Sequence, residues 1–203
     1  MTHHRPQRAP LGGAVAAFTL LVVTACGAGN ASTPAGVAAS PAAADTPVTA
    51  TVGGVAPAGT FTTVDGRDVD VASFRGKPTV LWFVAAGCSS CTASIPAVAE
   101  HLAQLRAEGV QVAVIDLYGD LGAGRTGTDA LRKLGTGLVG KRFTDPGWTW
   151  GTSSKDLSFR YDGNGEPDVY YVIDRTGKIT YRDGVPISTM NQLIAKAHTA
   201  AQA

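Results

Sequence analysis

Lys77-Pro78-Thr79-Val80-Leu81-Trp82-Phe83-Val84-Ala85-Ala86-Gly87-Cys88-Ser89-Ser90-Cys91 is the stretch from which the rest of the chain is read. Its run from Thr79 to Val84 is continuously apolar or β-branched and predicts a strand covered on both faces. Beyond it, Ile95, Val98, Leu102 and Leu105 recur three or four residues apart, with Glu100, Gln104 and Glu108 elsewhere. That spacing predicts an amphipathic helix from Cys91 to Glu108, stopped by Gly109. The two cysteines therefore lie where a buried strand hands over to a helix, the edge at which open α/β sheets bind ligands.

Two cysteines with two residues between them at a helix start come near bridging distance within one turn. Unpaired backbone N–H groups and the positive end of the helix dipole favour thiolate at Cys88, which makes it the expected nucleophile. Cys91, one turn on, is expected to resolve the mixed disulfide that Cys88 forms with a partner. Ser89 and Ser90 add hydroxyl donors but no positive charge, so the thiolate is favoured only modestly. Two other uses of such a pair exist. It can be half of a metal site, but no second pair exists and His101 lies about 15 Å along the same helix. It can also be a purely structural bridge, although so small a loop restrains little of the unfolded chain.

Working outward, Phe61–Val64 and Asp68–Val71 flank Asp65-Gly66-Arg67 as a small N-terminal hairpin. Val110–Leu117 reads as a second buried strand, followed by a Gly-rich loop and a short helix around Asp129–Leu134. Val169–Asp174 and Lys178–Arg182 form a hairpin about Asp174-Arg175-Thr176-Gly177, and Ser188–Ala201 closes as a helix capped by Ser188. The expected order is β, α, β, α, β, β, α: an α/β domain with a mixed central sheet, helices on both faces and a β-hairpin extension at its start. Gly122-Ala123-Gly124-Arg125-Thr126-Gly127 matches a dinucleotide fingerprint in letters but lacks its strand-to-helix setting, and is read as a flexible loop. Trp148 and Trp150, with Phe143 and Pro146, are read as core packing in a connection, or alternatively as a rim contact for a redox partner.

The chain has 203 residues, 17 Lys plus Arg against 16 Asp plus Glu, and three cysteines. Such a balance offers no basic field for nucleic acid, and three cysteines cannot make a disulfide-stapled scaffold or a four-thiolate zinc site. At the N-terminus, Arg5 and Arg8 precede an uncharged stretch of 15 residues, Leu11–Ala25. A membrane-spanning helix needs about 20 residues, so the pattern is that of an export signal over residues 1–25. It ends in Val23-Thr24-Ala25-Cys26, which resembles the lipobox of bacterial lipoproteins. By that resemblance Cys26 is the first mature residue and carries the lipid anchor, palmitate included; an ordinary signal peptide with an incidental cysteine is the alternative. Residues 31–59 contain ten Ala and four Pro with Asp45 as their single charge, and residues 26–58 are read as a disordered tether. About 30 such residues hold a domain, expected over 59–203, roughly 30 Å from its anchor.

The segment Gly76–Cys91 with Ile95-Pro96 resembles thioredoxin-fold proteins of the TlpA, ResA and DsbE type. Gly165-Glu166-Pro167-Asp168-Val169-Tyr170-Tyr171-Val172-Ile173-Asp174-Arg175-Thr176-Gly177 resembles their second signature. The likeness covers roughly residues 59–200. It implies a thioredoxin-like fold, thiol–disulfide exchange through Cys88 and Cys91, and a cis Pro167 facing the pair; a plain trans turn is the other reading of Pro167. The chain departs from that pattern in three places. Gly87 stands where an aromatic normally precedes the nucleophile, Trp82 where thioredoxin keeps a buried Asp, and Ser94 where ResA-like proteins place a Glu. Glu166, beside Pro167, is then the nearest candidate proton acceptor, its alternative being a solvated loop carboxylate.

These readings together imply a lipid-anchored enzyme on the extracytoplasmic face of the cell membrane. It would exchange disulfides with exported proteins and electrons with a membrane donor or acceptor, and would need neither cofactor nor metal. The competing class is a redox-inactive or copper-handling binding protein of the SCO type, for which the chain offers one downstream histidine, His198. Peroxidase activity is disfavoured because Ala85 stands where the threonine three residues before a peroxidatic cysteine is required.

Overall fold

A computed structural model describes residues 49–203 apart from Ala123. The predicted export signal, Cys26 and most of the predicted tether lie outside the described residues. In chain order the elements are β1 (Thr60–Thr63), β2 (Asp68–Asp70), β3 (Thr79–Val84), α1 (Ser89–Ala107), β4 (Gln111–Asp116), α2 (Gly124–Val139), β5 (Trp148–Ser153), α3 (Lys155–Tyr161), β6 (Val169–Ile173), β7 (Ile179–Gly184) and α4 (Pro186–Gln202). Seven strands form one sheet in the order β2-β1-β5-β4-β3-β6-β7. The central strands β3, β4 and β5 run parallel, and the flanking ones pair antiparallel.

All six residues of β3 are buried, and alternation divides them between two cores. Val80, Trp82 and Val84 face Ile95, Val98 and Leu102 of α1 with Leu193 of α4, while Leu81 and Phe83 face Phe61, Leu157 and Tyr161. The continuous apolar run in the sequence is thus a strand that must satisfy both layers at once. Among the described residues, no helix is long and apolar enough to cross a membrane.

Several boundaries differ from the sequence reading. Packing includes Ala50 and so reaches further toward the N-terminus than residue 59. Ala50 is buried and its N–H donates to the Arg160 carbonyl at 2.8 Å, Val55 bridges Lys178, and the Tyr161 hydroxyl donates to the Pro57 carbonyl at 2.8 Å. The tether expected over 26–58 is therefore too long at its C-terminal end. Backbone pairing holds this stretch, and backbone pairing leaves no apolar period in the letters.

Gly124–Gly127, read as loop, opens α2, which is longer than the helix expected at Asp129–Leu134. A Cβ on Gly127 would meet the Gly122 carbonyl oxygen at 2.5 Å, so glycine there permits a close approach. Trp148 and Trp150 are core, as one of the two readings held, but they belong to a full strand, β5. The last helix starts two residues before Ser188, with Pro186 in its first turn and no side-chain cap.

Candidate active site

Helix α1 begins at Ser89, and its N-cap is Cys88, whose Sγ accepts the Cys91 N–H at 3.1 Å. A sulfur in this position meets the unpaired amides of the first turn. Ser90 Oγ lies 3.2 Å from the same Sγ. The two cysteines are joined as a disulfide with their Cα atoms 5.3 Å apart. Cys88 is half-buried and Cys91 is fully buried, so a visiting sulfur has access to Cys88.

The buried carboxyl at this site is not that of Glu166. Glu166 is exposed, and its N–H donates to Asp162 Oδ1 at 3.0 Å. Two residues on, Asp168 is 1% exposed, and one of its carboxylate oxygens lies with both cysteine Sγ atoms inside a 4.8 Å cluster. Trp82 Nε1 donates to Asp168 Oδ1 at 2.9 Å and Ser94 Oγ to Oδ2 at 3.4 Å. Burial pushes the Asp168 carboxyl above its ordinary range, while hydrogen bonds from Ser90, Trp82 and Ser94 oppose the shift. Trp82 and Ser94 occupy the two positions where the family pattern places an acid, and both turn their donors toward an acid from a third position. A lone Asp heading the wholly buried strand Val169–Ile173 was the available signal in the sequence.

The Pro167 expectation needs correction as well. Among the described residues no peptide bond is cis, so Pro167 follows a trans bond. The chain reverses instead through left-handed conformations at Gly165 (φ 66°) and Asp168 (φ 74°). The Asp168 N–H pairs with the Phe83 carbonyl at 2.8 Å, and its carbonyl accepts the Val185 N–H at 2.8 Å. These bonds fix the carboxyl inward while Pro167 remains exposed.

Pro167 and Ala85 line a groove of about 470 Å³ that also takes in Tyr118, Phe159, Asp120 and Lys155. Tyr118 and Phe159 are 52% and 60% exposed. They bring aromatic surface beside the loop whose own aromatic position is Gly87. Asp120 accepts a hydrogen bond from the Ala86 N–H in that loop. Behind it, burial and the neighbouring Asp120 carboxyl push Asp116 up to about 8.

As metal donors, the described residues group Cys88, Cys91 and Asp168. His198 is elsewhere, on α4, with Nδ1 3.1 Å from Glu108 Oε2 and Nε2 2.7 Å from the Gln202 amide. In the disulfide state both sulfurs are already bonded to each other.

The Redoxin family model matches residues 51–197. The chain belongs to the Redoxin family. No curated protein matches it. Three solved structures illustrate the shared fold. The thioredoxin domain of a thiol-disulfide oxidoreductase from Bacteroides vulgatus is 21% identical, with a TM-score of 0.56 over 71% of this chain and 96% of that one. A secreted Mycobacterium tuberculosis disulfide oxidoreductase homologous to E. coli DsbE is 21% identical, with a TM-score of 0.53 over 69% and 94%. BsSco, of the Sco family of cytochrome c oxidase assembly proteins, is 14% identical, with a TM-score of 0.57 over 76% and 98%. This Redoxin member has the thioredoxin-like α/β architecture, and its Cys88–Cys91 pair is that of a thiol-disulfide oxidoreductase.

Proposed function

We propose that this Redoxin protein is a thiol-disulfide oxidoreductase held by lipid on Cys26 at the extracytoplasmic face of the membrane, exchanging disulfides with exported proteins. The observation that carries the chemistry is the disulfide between a half-buried Cys88 and a buried Cys91, beside the buried Asp168. The location rests on the sequence Val23-Thr24-Ala25-Cys26 after an uncharged stretch with a basic start.

In the reducing direction, Cys88 thiolate attacks one sulfur of a client disulfide. A Cys88–client S–S bond forms, the client S–S bond breaks, and the first client sulfur leaves as thiolate. Cys91 loses its proton to Asp168, the nearest buried carboxylate, and attacks Cys88. The Cys88–Cys91 bond closes, the second client thiolate leaves, and two electrons have passed to the client. The oxidising direction is the same sequence reversed. A membrane donor or acceptor then resets the pair, and no cofactor enters.

Insulin reduction and thiol oxidation by the wild type, Cys88→Ser and Cys91→Ser test the chemistry. Both variants should lose turnover, and Cys91→Ser should accumulate mixed disulfides; equal turnover in all three would overturn the reading. Membrane fractionation of Cys26→Ser tests the anchor, with release from the membrane expected.

One observation favours a second reading, metal handling. After reduction, Cys88, Cys91 and Asp168 present three donors within 4.8 Å. Binding of Cu(I) by the reduced protein that survives loss of exchange activity would support that reading over the first.

A further inference from the structure

The groove of about 470 Å³ takes in Ala85, three residues before Cys88, and Pro167, next to the buried Asp168. A client whose sulfur meets Cys88 therefore brings its neighbouring residues within reach of this groove. Tyr118 and Phe159 in its lining are the only exposed aromatic side chains among the described residues. Rings gathered in one open groove mark a contact surface. The charges there are mainly acidic. Asp120 is exposed and accepts the Ala86 N–H. Asp162 is buried; its Oδ1 accepts the Glu166 N–H, and its Oδ2 has no hydrogen-bond partner. Against these carboxyls stands Lys155, whose Nζ lies over the Phe159 ring, 5.9 Å from its centre. None of the described ion pairs involves Asp120, Asp162 or Lys155.

We propose that this groove receives an arginine side chain from the client segment beside the reacting cysteine. The inference rests on the reading of Cys88 as the attacking sulfur and adds which substrates it favours. A guanidinium answers both features of the groove with one group, because its face stacks on an aromatic ring while its edge donates to a carboxylate. An apolar side chain would cover the two carboxyls without pairing them, and an acidic one would meet like charges.

Lys155 marks the place of a cation over Phe159. Its ammonium is a point charge on a flexible, exposed stem, and it gives way to a group that can stack and pair at once. Asp120 links the groove to the chemistry. The carboxylate that pairs with the arriving guanidinium also holds the Ala86 N–H, in the loop that leads to Cys88. The client is thus placed by the same residue that places the loop.

The test uses the reduced full-length chain and symmetrical disulfides of Gly-Xaa-Gly-Cys-Gly-Xaa-Gly peptides, with arginine, citrulline or glutamate as Xaa. Citrulline keeps the shape of arginine without its charge. In each reaction the peptide S–S bond breaks, the Cys88–Cys91 bond closes and two peptide thiols leave. Peptide mass spectrometry follows the closure and keeps Cys26 apart. The arginine peptide should react about tenfold faster than the glutamate one, with citrulline between them, as an exposed ion pair and a ring contact together allow. Phe159→Ala should shrink that preference, and so should Asp120→Asn, which keeps an acceptor for the Ala86 N–H. Lys155→Met, which removes the competing cation, should enlarge it.

Equal rates for the three peptides in the wild type overturn the inference, as does a preference that survives Phe159→Ala combined with Asp120→Asn. Thermal unfolding checks that the variants are folded, and the wild-type comparison carries the test if they are not. Serine analogues of the same peptides, added to the oxidised chain, separate binding from exchange. The arginine analogue should shift the Tyr118 and Phe159 ring resonances in NMR spectra, and the glutamate analogue should not. That shift in a protein without exchange activity would sink the proposed function and leave the arginine groove standing; exchange without preference or shift would do the reverse.

Discussion

Trp82, near the middle of β3, donates its indole N–H to Asp168 Oδ1 at 2.9 Å, across 86 residues of sequence. The bond ties the central strand to the turn that enters β6 and fixes the buried acid beside the cysteines. Trp82→Phe keeps an aromatic ring but leaves that oxygen without its donor. The expected loss is about 1–3 kcal/mol of stability, read by urea unfolding.

The pH profile of the same site has a defined sign. The Asp168 carboxyl is raised above the ordinary aspartate value of 3.8, first by burial. Between 3.8 and its folded value the folded chain keeps a proton that the unfolded chain has released. Its contribution to stability is therefore full below pH 3.8 and fades as pH rises through the folded value. Asp168→Asn should remove that fading, and Trp82→Phe, which removes a bond favouring the ionised form, should extend it to higher pH.

What the letters disclosed follows from how each feature is encoded. The strand Thr79–Val84, the helix expected from Cys91 to Glu108 and the hairpin about Asp174–Gly177 rest on local patterns, and the structure has each within a few residues. Strand β5 was missed because Trp148-Thr149-Trp150-Gly151-Thr152-Ser153 has two aromatics and then small polar residues. Its burial depends on neighbours β1 and β4 that the sequence does not name. Asp168 was passed over for Glu166 because the direction of a side chain depends on backbone dihedrals. The left-handed turn at Asp168 points inward the residue that a simple reading leaves beside the chemistry.

Gly151 in β5 marks a close approach. A Cβ there would come 2.5 Å from Phe61 Cδ2 and 2.7 Å from the Thr62 carbonyl oxygen, in strand β1, which β5 pairs with. Gly151→Ala should cost about 1–3 kcal/mol through forced displacement of β1. The cysteine site lies on other strands, so exchange activity per folded molecule should be unchanged. A fall in specific activity with normal stability would contradict this.

The segment before β1 gives a paired deletion test. Removing residues 26–48 should leave the unfolding midpoint where it is. Removing 26–58 also takes away the Ala50–Arg160 and Ala56–Gly177 backbone bonds, the Val55–Lys178 bridge and the Pro57 acceptor of Tyr161. At about 0.5–1.5 kcal/mol per bond, the longer deletion should cost roughly 2–6 kcal/mol. Equal midpoints for the two deletions would return residues 50–58 to the tether.

Asp116 provides the second pH signature, separable from that of Asp168. It ends β4 with Oδ1 buried and unpartnered, and burial together with the adjacent Asp120 carboxyl raises it from 3.8 to about 8. An acid raised on folding supports the fold fully below its unfolded value, and that support drains away as pH climbs to the folded one. For Asp116 the window runs from pH 3.8 to about 8, with a slope of at most about 1.4 kcal/mol per pH unit. Asp116→Asn cannot ionise, so its stability advantage over the wild type should grow across this window and level off above it. Asp120 also accepts the Ala86 N–H in the nucleophile loop, so ionising Asp116 places a negative charge beside a bond that orients this loop. Cys88 alkylation in the wild type should therefore show an inflection near pH 8 that Asp116→Asn lacks, and a profile shared by the two proteins would separate Asp116 from the site.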